Sequence, residues 1–576
     1  MNQKLENILN VSLDATEDEL RKADSLSTGY NWRDNTWEII VKYSGSLESI
    51  RNRYNVYIKE LLNYYAIIVA DKATIELISQ EDVIDYVEKP KSLYYQIERT
   101  KTAACVGSVR ADGNILSGKG VIVGVIDTGI DIFDNAFRNS DGTTRILNIY
   151  DQTTGEKYDK QSIDEYIRLN EDLSGGTFSY DNAPGVDNIM HGTDVSYIAA
   201  GSLGVAYEAD IIAVKMGYSI NNQFPRTTSL MDAIDYIIRK AIEYRKPVAV
   251  NISYGCNYGA HNGNTLLESF IDDISKSYRC VICVGSGNEA DKAIHFGGII
   301  NTGQVQTAYL SVGEYQSAID IQIWKNYWDT IDVMLINPRG EQIGIITEGR
   351  INRYETYNTE IITLLGEPSP YNIYQEIYIN LIPKTDYILS GIWQIVLMAG
   401  SIRAGEYNIW LPSSQALGYA TAFNNPTADG TITIPATARN CIAVGAYNAY
   451  TNSYAAFSGR GFDNSIRNVN AGVKPDITAP GVDISIARQR GNDITYRNVT
   501  GTSYAVPVVT GAAALLMQWG IVMGNDRFMY GEKLKAALID GSKPVGLAGI
   551  TGNDNYPDPR TGWGAVCLMN TLNKIL

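Results

Sequence analysis

Along this chain the spacing of hydrophobic positions changes character three times, and each change marks a different kind of structure. Over residues 1–96, apolar stretches at 37–43, 65–69 and 83–87 read as strands, with a short helix at 73–80, the mixture of a small α+β unit. From 97 to 301, continuous apolar runs at 121–126, 211–215, 248–252 and 281–284 alternate with amphipathic stretches at 230–243 and 266–277. Runs without a polar face suit strands covered on both sides, so this segment predicts an α/β domain with a parallel sheet. Over 302–413 the period becomes two: Ile319, Ile321 and Ile323 alternate with Asp320 and Gln322, a half-buried strand. A strand at 330–336 then meets the turn Asn337-Pro338-Arg339-Gly340, and strands at 376–382, 391–398 and 407–411 follow without an intervening helix. This segment predicts an inserted all-β sandwich of jelly-roll type. The α/β texture returns over 414–576, with a strand at 441–446 and an apolar run at 508–519 that reads as a buried helix.

Composition narrows the field. The 576 residues carry a net charge of −16, which argues against a nucleic-acid partner, because phosphate binding needs a basic surface. The first residues, Met1-Asn2-Gln3-Lys4-Leu5, lack the basic start and apolar core of a secretory signal, so none is expected. Nor is a membrane-spanning helix expected, on the reading that no stretch of about eighteen uncharged apolar residues occurs. Six scattered cysteines (105, 256, 280, 283, 441 and 567) look like a reduced set rather than a disulfide framework. Cys280 and Cys283 have a zinc-like spacing, but on a strand residues three apart point to opposite faces, so no metal is expected there.

The chemistry lies in three separated segments. Gly501-Thr502-Ser503 precedes the apolar run, which puts the Ser503 hydroxyl at a helix N-terminus, where free N–H groups stabilise negative charge. A serine hydroxyl needs a base to become nucleophilic. Of the three histidines, His191 in His191-Gly192-Thr193 is the best candidate; His261 lies in a polar loop and His295 has no recognisable motif. Asp127, ending the run at 121–126, is placed to orient the imidazole. Singly, these residues also read as a turn aspartate, a helix-start histidine and an N-cap serine. The loop Gly285-Ser286-Gly287-Asn288 follows another buried strand and offers an amide donor, or simply a turn asparagine.

Together these segments resemble the subtilisin-like serine protease (subtilase) family, in which the order is likewise Asp, His, Ser. The resemblance implies a catalytic triad of Asp127, His191 and Ser503, with Asn288 as oxyanion donor. It implies that Ser253, Tyr254 and Gly255 bind substrate as an added strand, and that Gly285, Ser286 and Gly287 wall the pocket for the residue before the scissile bond. Residues 1–96 then correspond to a propeptide that is cut after Gln96 and whose tail lies in the active site; the alternative is an N-terminal domain that is never cut. The catalytic domain would comprise 97–301 and 414–576. No cofactor is required; calcium binds many subtilases, but no ligand cluster here is specific enough to name. The chain departs from the family at Asp194, where a second histidine is usual, and at Tyr504, where methionine is common.

The propeptide-like start, the β insertion and the stretch Gly142-Thr143-Thr144-Arg145 further resemble the Csp germination proteases of clostridial spores. That implies a protease made in the cytoplasm and packaged into the spore, which keeps its cleaved propeptide bound. Its expected partners are the precursor of a spore-cortex lytic enzyme and other Csp-type proteins. The alternative within the same family is a catalytically silent or propeptide-blocked regulator that senses germinants.

Overall fold

The computed structural model describes residues 2–92, 94–95, 116–171, 183–217, 224–346, 349–462, 472–490, 493–546 and 556–575. The sequence-predicted cleavage position, Gln96, lies outside them, as does Cys105.

A largely parallel sheet organises the molecule. Across it run Ile442–Asn448, Cys280–Gly285, Val248–Ile252, Ile122–Asp127, Asp210–Lys215 and Ile146–Asp151, with Ile477–Pro480 also pairing with Ile442–Asn448. Residues of Ile122–Asp127 and Val248–Ile252 are buried throughout, as strands must be when helices cover both faces. On one face pack the helices His191–Ala200 and Thr502–Met517; on the other, Thr227–Tyr244 and Leu266–Ser277. Cys280 belongs to the second core and Cys283 to the first, so the two thiols face opposite ways across one strand. Burial pushes both thiols up to about 12, and they pack as small apolar groups.

The helix bearing Ser503 corrects two expectations. It begins at Thr502 rather than 508, so the serine is inside its first turn. Continued through Val522, it is also long and apolar enough to cross a membrane, contrary to the reading that no such stretch exists; 83% of its most apolar window is buried, and it serves as the core helix of the catalytic domain.

The insertion forms two facing antiparallel sheets around one core. Its first strand is His295–Ile299 and its last Ala422–Phe423, so the sandwich extends beyond 302–413 at both ends. The expectation of a half-buried strand at 319–323 is also corrected. Asp320 and Gln322 are 4% and 3% exposed, because the outer face of that sheet packs on the rest of the protein. There Tyr258 and the Gly259 N–H donate to them at 3.3 and 2.9 Å. Strand Tyr374–Pro383 is buried along all ten residues for the same reason. Ile377, Ile379 and Leu381 enter the sandwich core, while Tyr378 and Ile382 enter a core shared with the N-terminal domain.

That N-terminal domain is an antiparallel sheet in the order Tyr30–Asn31, Thr36–Tyr43, Tyr65–Ala70, Tyr57–Leu61, with Ile84–Glu88 also on Thr36–Tyr43. The helix Glu17–Lys22, which the apolar pattern did not reveal, is closed by a capping box between Thr16 and Glu19. One face of the sheet contributes Ile40, Leu61, Tyr65, Ile67 and Tyr86 to the core under the catalytic helices. Glu88 accepts the Leu266 N–H at 2.8 Å, a carboxylate at the positive end of helix Leu266–Ser277. The N-terminal domain is thus wedged between the catalytic domain and the sandwich.

Candidate active site

Asp127 is the last residue of a central strand, which delivers its carboxylate to the carboxyl edge of the sheet, where open α/β folds bind ligands. His191 opens the helix His191–Ala200 beside it. This helix and the end of the strand come together because Gly192 has no side chain: a Cβ there would lie 2.3 Å from the Gly129 oxygen and 2.9 Å from the Asp127 Cβ. His191 Nδ1 then meets Asp127 Oδ1 at 2.6 Å, with the residues 2% and 1% exposed. A carboxylate on Nδ1 holds the proton there and leaves Nε2 as the basic nitrogen of the neutral ring.

Asp187, which the sequence reading missed, organises this junction. Its carboxylate accepts from Thr128 Oγ1 and the Met190 N–H, each at 2.7 Å, and from the N–H and hydroxyl of Thr193, each at 2.8 Å. Thr128 Oγ1 in turn accepts the Gly192 N–H at 2.9 Å. One buried carboxylate therefore ties the end of the aspartate strand to the start of the histidine helix. Its nearness to His191 in sequence is the one signal that marked it out.

Ser503 follows Gly501, whose φ of 149° is a conformation that strains other residues. Pro507 has no N–H to give the Ser503 carbonyl four residues back. The Ser253 hydroxyl donates to that carbonyl instead, at 3.4 Å, and accepts from Asn251 Nδ2 at 3.0 Å. Tyr504 lies against the His191 ring, with centroids 5.2 Å apart, and so fills space beside the imidazole.

Asn288 sits one residue from the serine in space. Its Oδ1 accepts both the N–H and the hydroxyl of Thr502, at 3.0 and 3.1 Å. Two donors on the oxygen fix the orientation of the amide, and the buried Nδ2 has no partner among the described residues. A donor held in this way, beside a helix N-terminus that carries a serine, suits the stabilisation of an oxyanion. Glu289, next in sequence, accepts the Ser414 N–H at 3.1 Å and so ties this loop to the far end of the insertion.

The tail of the N-terminal domain reaches this site. Lys91 exchanges hydrogen bonds with Thr227 at the start of helix Thr227–Tyr244, and Tyr94–Tyr95 then pairs antiparallel with Tyr254–Gly255. The register sets Tyr95 opposite Tyr254, so the tail advances along the edge in the direction of Ser253. Gly285 ends strand Cys280–Gly285, which lies beside Tyr254–Gly255, and Ser286 and Gly287 follow it. Their backbone is held by Val444, Thr433 and Gly459, and a Cβ on Gly287 would lie 2.6 Å from Thr433 Cγ2. Thr433 therefore packs against this wall, which sequence alone did not indicate.

Asp194 is fully buried and paired with Arg488 and Arg497, both outside any motif read from the sequence. A cation pair at this position accounts for an aspartate there.

A parallel sheet that delivers an aspartate, flanked by two helices that begin at histidine and at serine, is subtilisin-like architecture. The subtilase family model matches residues 118–368 and 404–564. The chain belongs to that family. Within the family its N-terminal domain is of the Csp type, since the Csp protease B prodomain model matches residues 3–91. The structure is similar to that of the Clostridium perfringens CspB protease, with a TM-score of 0.74 and 34% identity, covering 82% of this chain and 96% of that one. Similarity extends to the subtilase-type proteinase RRT12 of Saccharomyces cerevisiae, 33% identical over 128 residues, or 22% of this chain and 23% of that protein. It also extends to subtilisin-like protease 10 of Arthroderma otae, 34% identical over 120 residues, or 21% of this chain and 27% of that protein. The chain therefore spans about a quarter of the length of these two curated relatives.

Proposed function

We propose that this protein is a self-processing endopeptidase that uses Ser503 as nucleophile, His191 as base, Asp127 as its orienting carboxylate and Asn288 as oxyanion donor. The observation that carries the reading is the tail strand: residues 94–95 lie as an added strand on Tyr254–Gly255, the edge at which a subtilase would hold its substrate. The chain would cut itself after Gln96 and keep the propeptide, which shares cores with both other domains. Its similarity to a CspB protease supports a role in spores, where it would activate the precursor of a cortex-lytic enzyme at germination, alongside other Csp-type proteins.

A second reading is favoured by the same strand. A tail that stays on the substrate edge blocks it, and the protein would then act as a propeptide-silenced regulator. Intact mass spectrometry of the wild type and Ser503→Ala tests the first reading. Two copurifying fragments from the wild type and one chain from the variant are expected. A wild type that remains whole refutes self-processing and leaves the regulator. Cleavage of a cortex-lytic precursor by the purified wild type, and not by Ser503→Ala, tests the target.

A further inference from the structure

Just before the serine helix lies a hairpin, Ile484–Arg490 paired with Asp493–Val499, that belongs to neither the central sheet nor the sandwich. Its register sets Arg488 opposite Thr495 and Ile486 opposite Arg497. Arg488 and Arg497 are therefore diagonal neighbours on one face. Both reach the first turn of the histidine helix. Arg488 donates from Nε to Asp194 Oδ1 at 3.0 Å, and a second of its nitrogens binds the same carboxylate. Arg497 also pairs with Asp194. Each guanidinium further donates to the Met190 carbonyl, at 2.9 Å from Arg488 and 3.1 Å from Arg497.

The two arginines thus grip the residue before His191 and the residue three positions after it. Charge alone does not require this arrangement, since one guanidinium suffices to compensate one buried carboxylate. What the pair adds is a hold on the Met190 peptide. Met190 has φ 68°, in the left-handed region that side chains other than glycine seldom adopt. Such a conformation persists where its surroundings over-determine it. Here Asp187 binds the Met190 N–H at 2.7 Å while the arginines bind its carbonyl.

We propose that Arg488 and Arg497 are positioning residues, which act through Asp194 and the Met190 carbonyl to hold the His191 imidazole against Asp127. The hairpin would then link the backbone leading to Ser503 with the histidine that must activate it. This inference rests on the protease reading above, but its first readout needs no catalysis. The charged and titratable groups around the latch are Asp131, Asp134, Asp187 and Tyr504 facing Arg488, and Asp127 and Tyr504 beside His191.

The experiment is histidine-selective ¹⁵N NMR on the full-length Ser503→Ala chain, which contains only three histidines. His191→Gln assigns the signal. Replacing both arginines, Arg488→Gln with Arg497→Gln, is expected to broaden the His191 Nδ1–H resonance, because the backbone on either side of the imidazole loses its hold. The His261 and His295 signals should not move. In the chain with Ser503 restored, self-processing should slow by about 10- to 100-fold, the scale of a misplaced catalytic group. Arg497→Lys keeps the charge without the planar fork, so it should recover the melting temperature but not the His191 resonance. An unchanged His191 signal in a folded double variant overturns the proposal. Should the double variant not fold, Arg497→Lys decides alone on the same signal, since that side chain is 40% exposed. If the wild type fails to process itself while the NMR changes appear, the latch stands and the protease reading falls.

Discussion

Asn288 offers a sharp test of the site, because its two ends do separable things. Its oxygen holds the N–H and hydroxyl of Thr502 at 3.0 and 3.1 Å, while its nitrogen is buried without a partner among the described residues. Asn288→Ala removes both functions; Asn288→Asp keeps the acceptor and replaces the donor with a negative charge. Loss of one oxyanion donor typically slows turnover by about 10²–10³, or about 3–4 kcal/mol of transition-state stabilisation; the reference measurement for this range is itself a subtilisin. The alanine variant should also lose about 1–3 kcal/mol of stability, since the Thr502 donors beside the serine are left unmatched. The aspartate variant should retain stability near the wild type yet process more slowly than alanine, because its charge opposes the developing oxyanion. The assay is the time course of intact mass after a pulse of synthesis, paired with a denaturant melt of each variant on the Ser503→Ala background. If Asn288→Asp, folded and stable, processes as fast as the wild type, the amide nitrogen does not face the reacting carbonyl and the assignment is wrong.

Two further outcomes follow from the geometry. Asp127→Asn would preserve the shape of the site but remove the carboxylate 2.6 Å from His191 Nδ1. Self-processing, followed by the same mass assay, should fall by about 10⁴, and a loss below tenfold would contradict the orienting role. Glu376, buried where the sandwich meets the N-terminal domain, has its carboxyl pushed up from 4.5 to about 7 by burial and then by the nearby Glu6. A raised folded-state pKa means that between about pH 4.5 and 7 the folded chain keeps a proton the unfolded chain has released. Stability is thus greatest at the acid end of that window and falls as pH rises through it, by up to about 3 kcal/mol from this group. Glu376→Gln should flatten the decline in denaturant midpoint measured from pH 5 to 7 on the Ser503→Ala chain, and an unaltered slope would exclude Glu376 as its source.

Much of the catalytic domain was legible because its signals are local. Continuous apolar runs such as 122–126 and 281–284 can be buried on both faces only, and the residue at the end of such a run must reach the edge of the sheet. Asp127, His191, Asn288 and Ser503 each stand at such a boundary between strand or helix and turn. Their motifs are short because the backbone geometry they need is short: Gly192 for close approach to the aspartate strand, Gly501 for the turn into the serine helix. Sequence spacing also separated Cys280 from Cys283, since a strand turns residues three apart to opposite faces.

What the chain order could not reveal depends on which surfaces meet. Asp320 and Gln322 carry the alternation of a solvent-facing strand, yet they are buried because another domain covers that face and supplies Tyr258 and Gly259 as donors. Asp187 carries no motif, because its importance arises only when Thr128, 59 residues away, folds onto it. The Asp194 position looked like a bare departure from the family until Arg488 and Arg497, from a hairpin some 300 residues downstream, closed on it. The sequence by itself determined the parallel-sheet domain, the placement of Asp127, His191 and Ser503 at the ends of its elements, and the existence of a β insertion, because periodicity and turn chemistry act over a few residues. Only the tertiary structure decided that the N-terminal tail lies on the Tyr254–Gly255 edge and that two arginines hold the histidine helix. Those arrangements are selected by complementary faces and buried charge, which have no period along the chain.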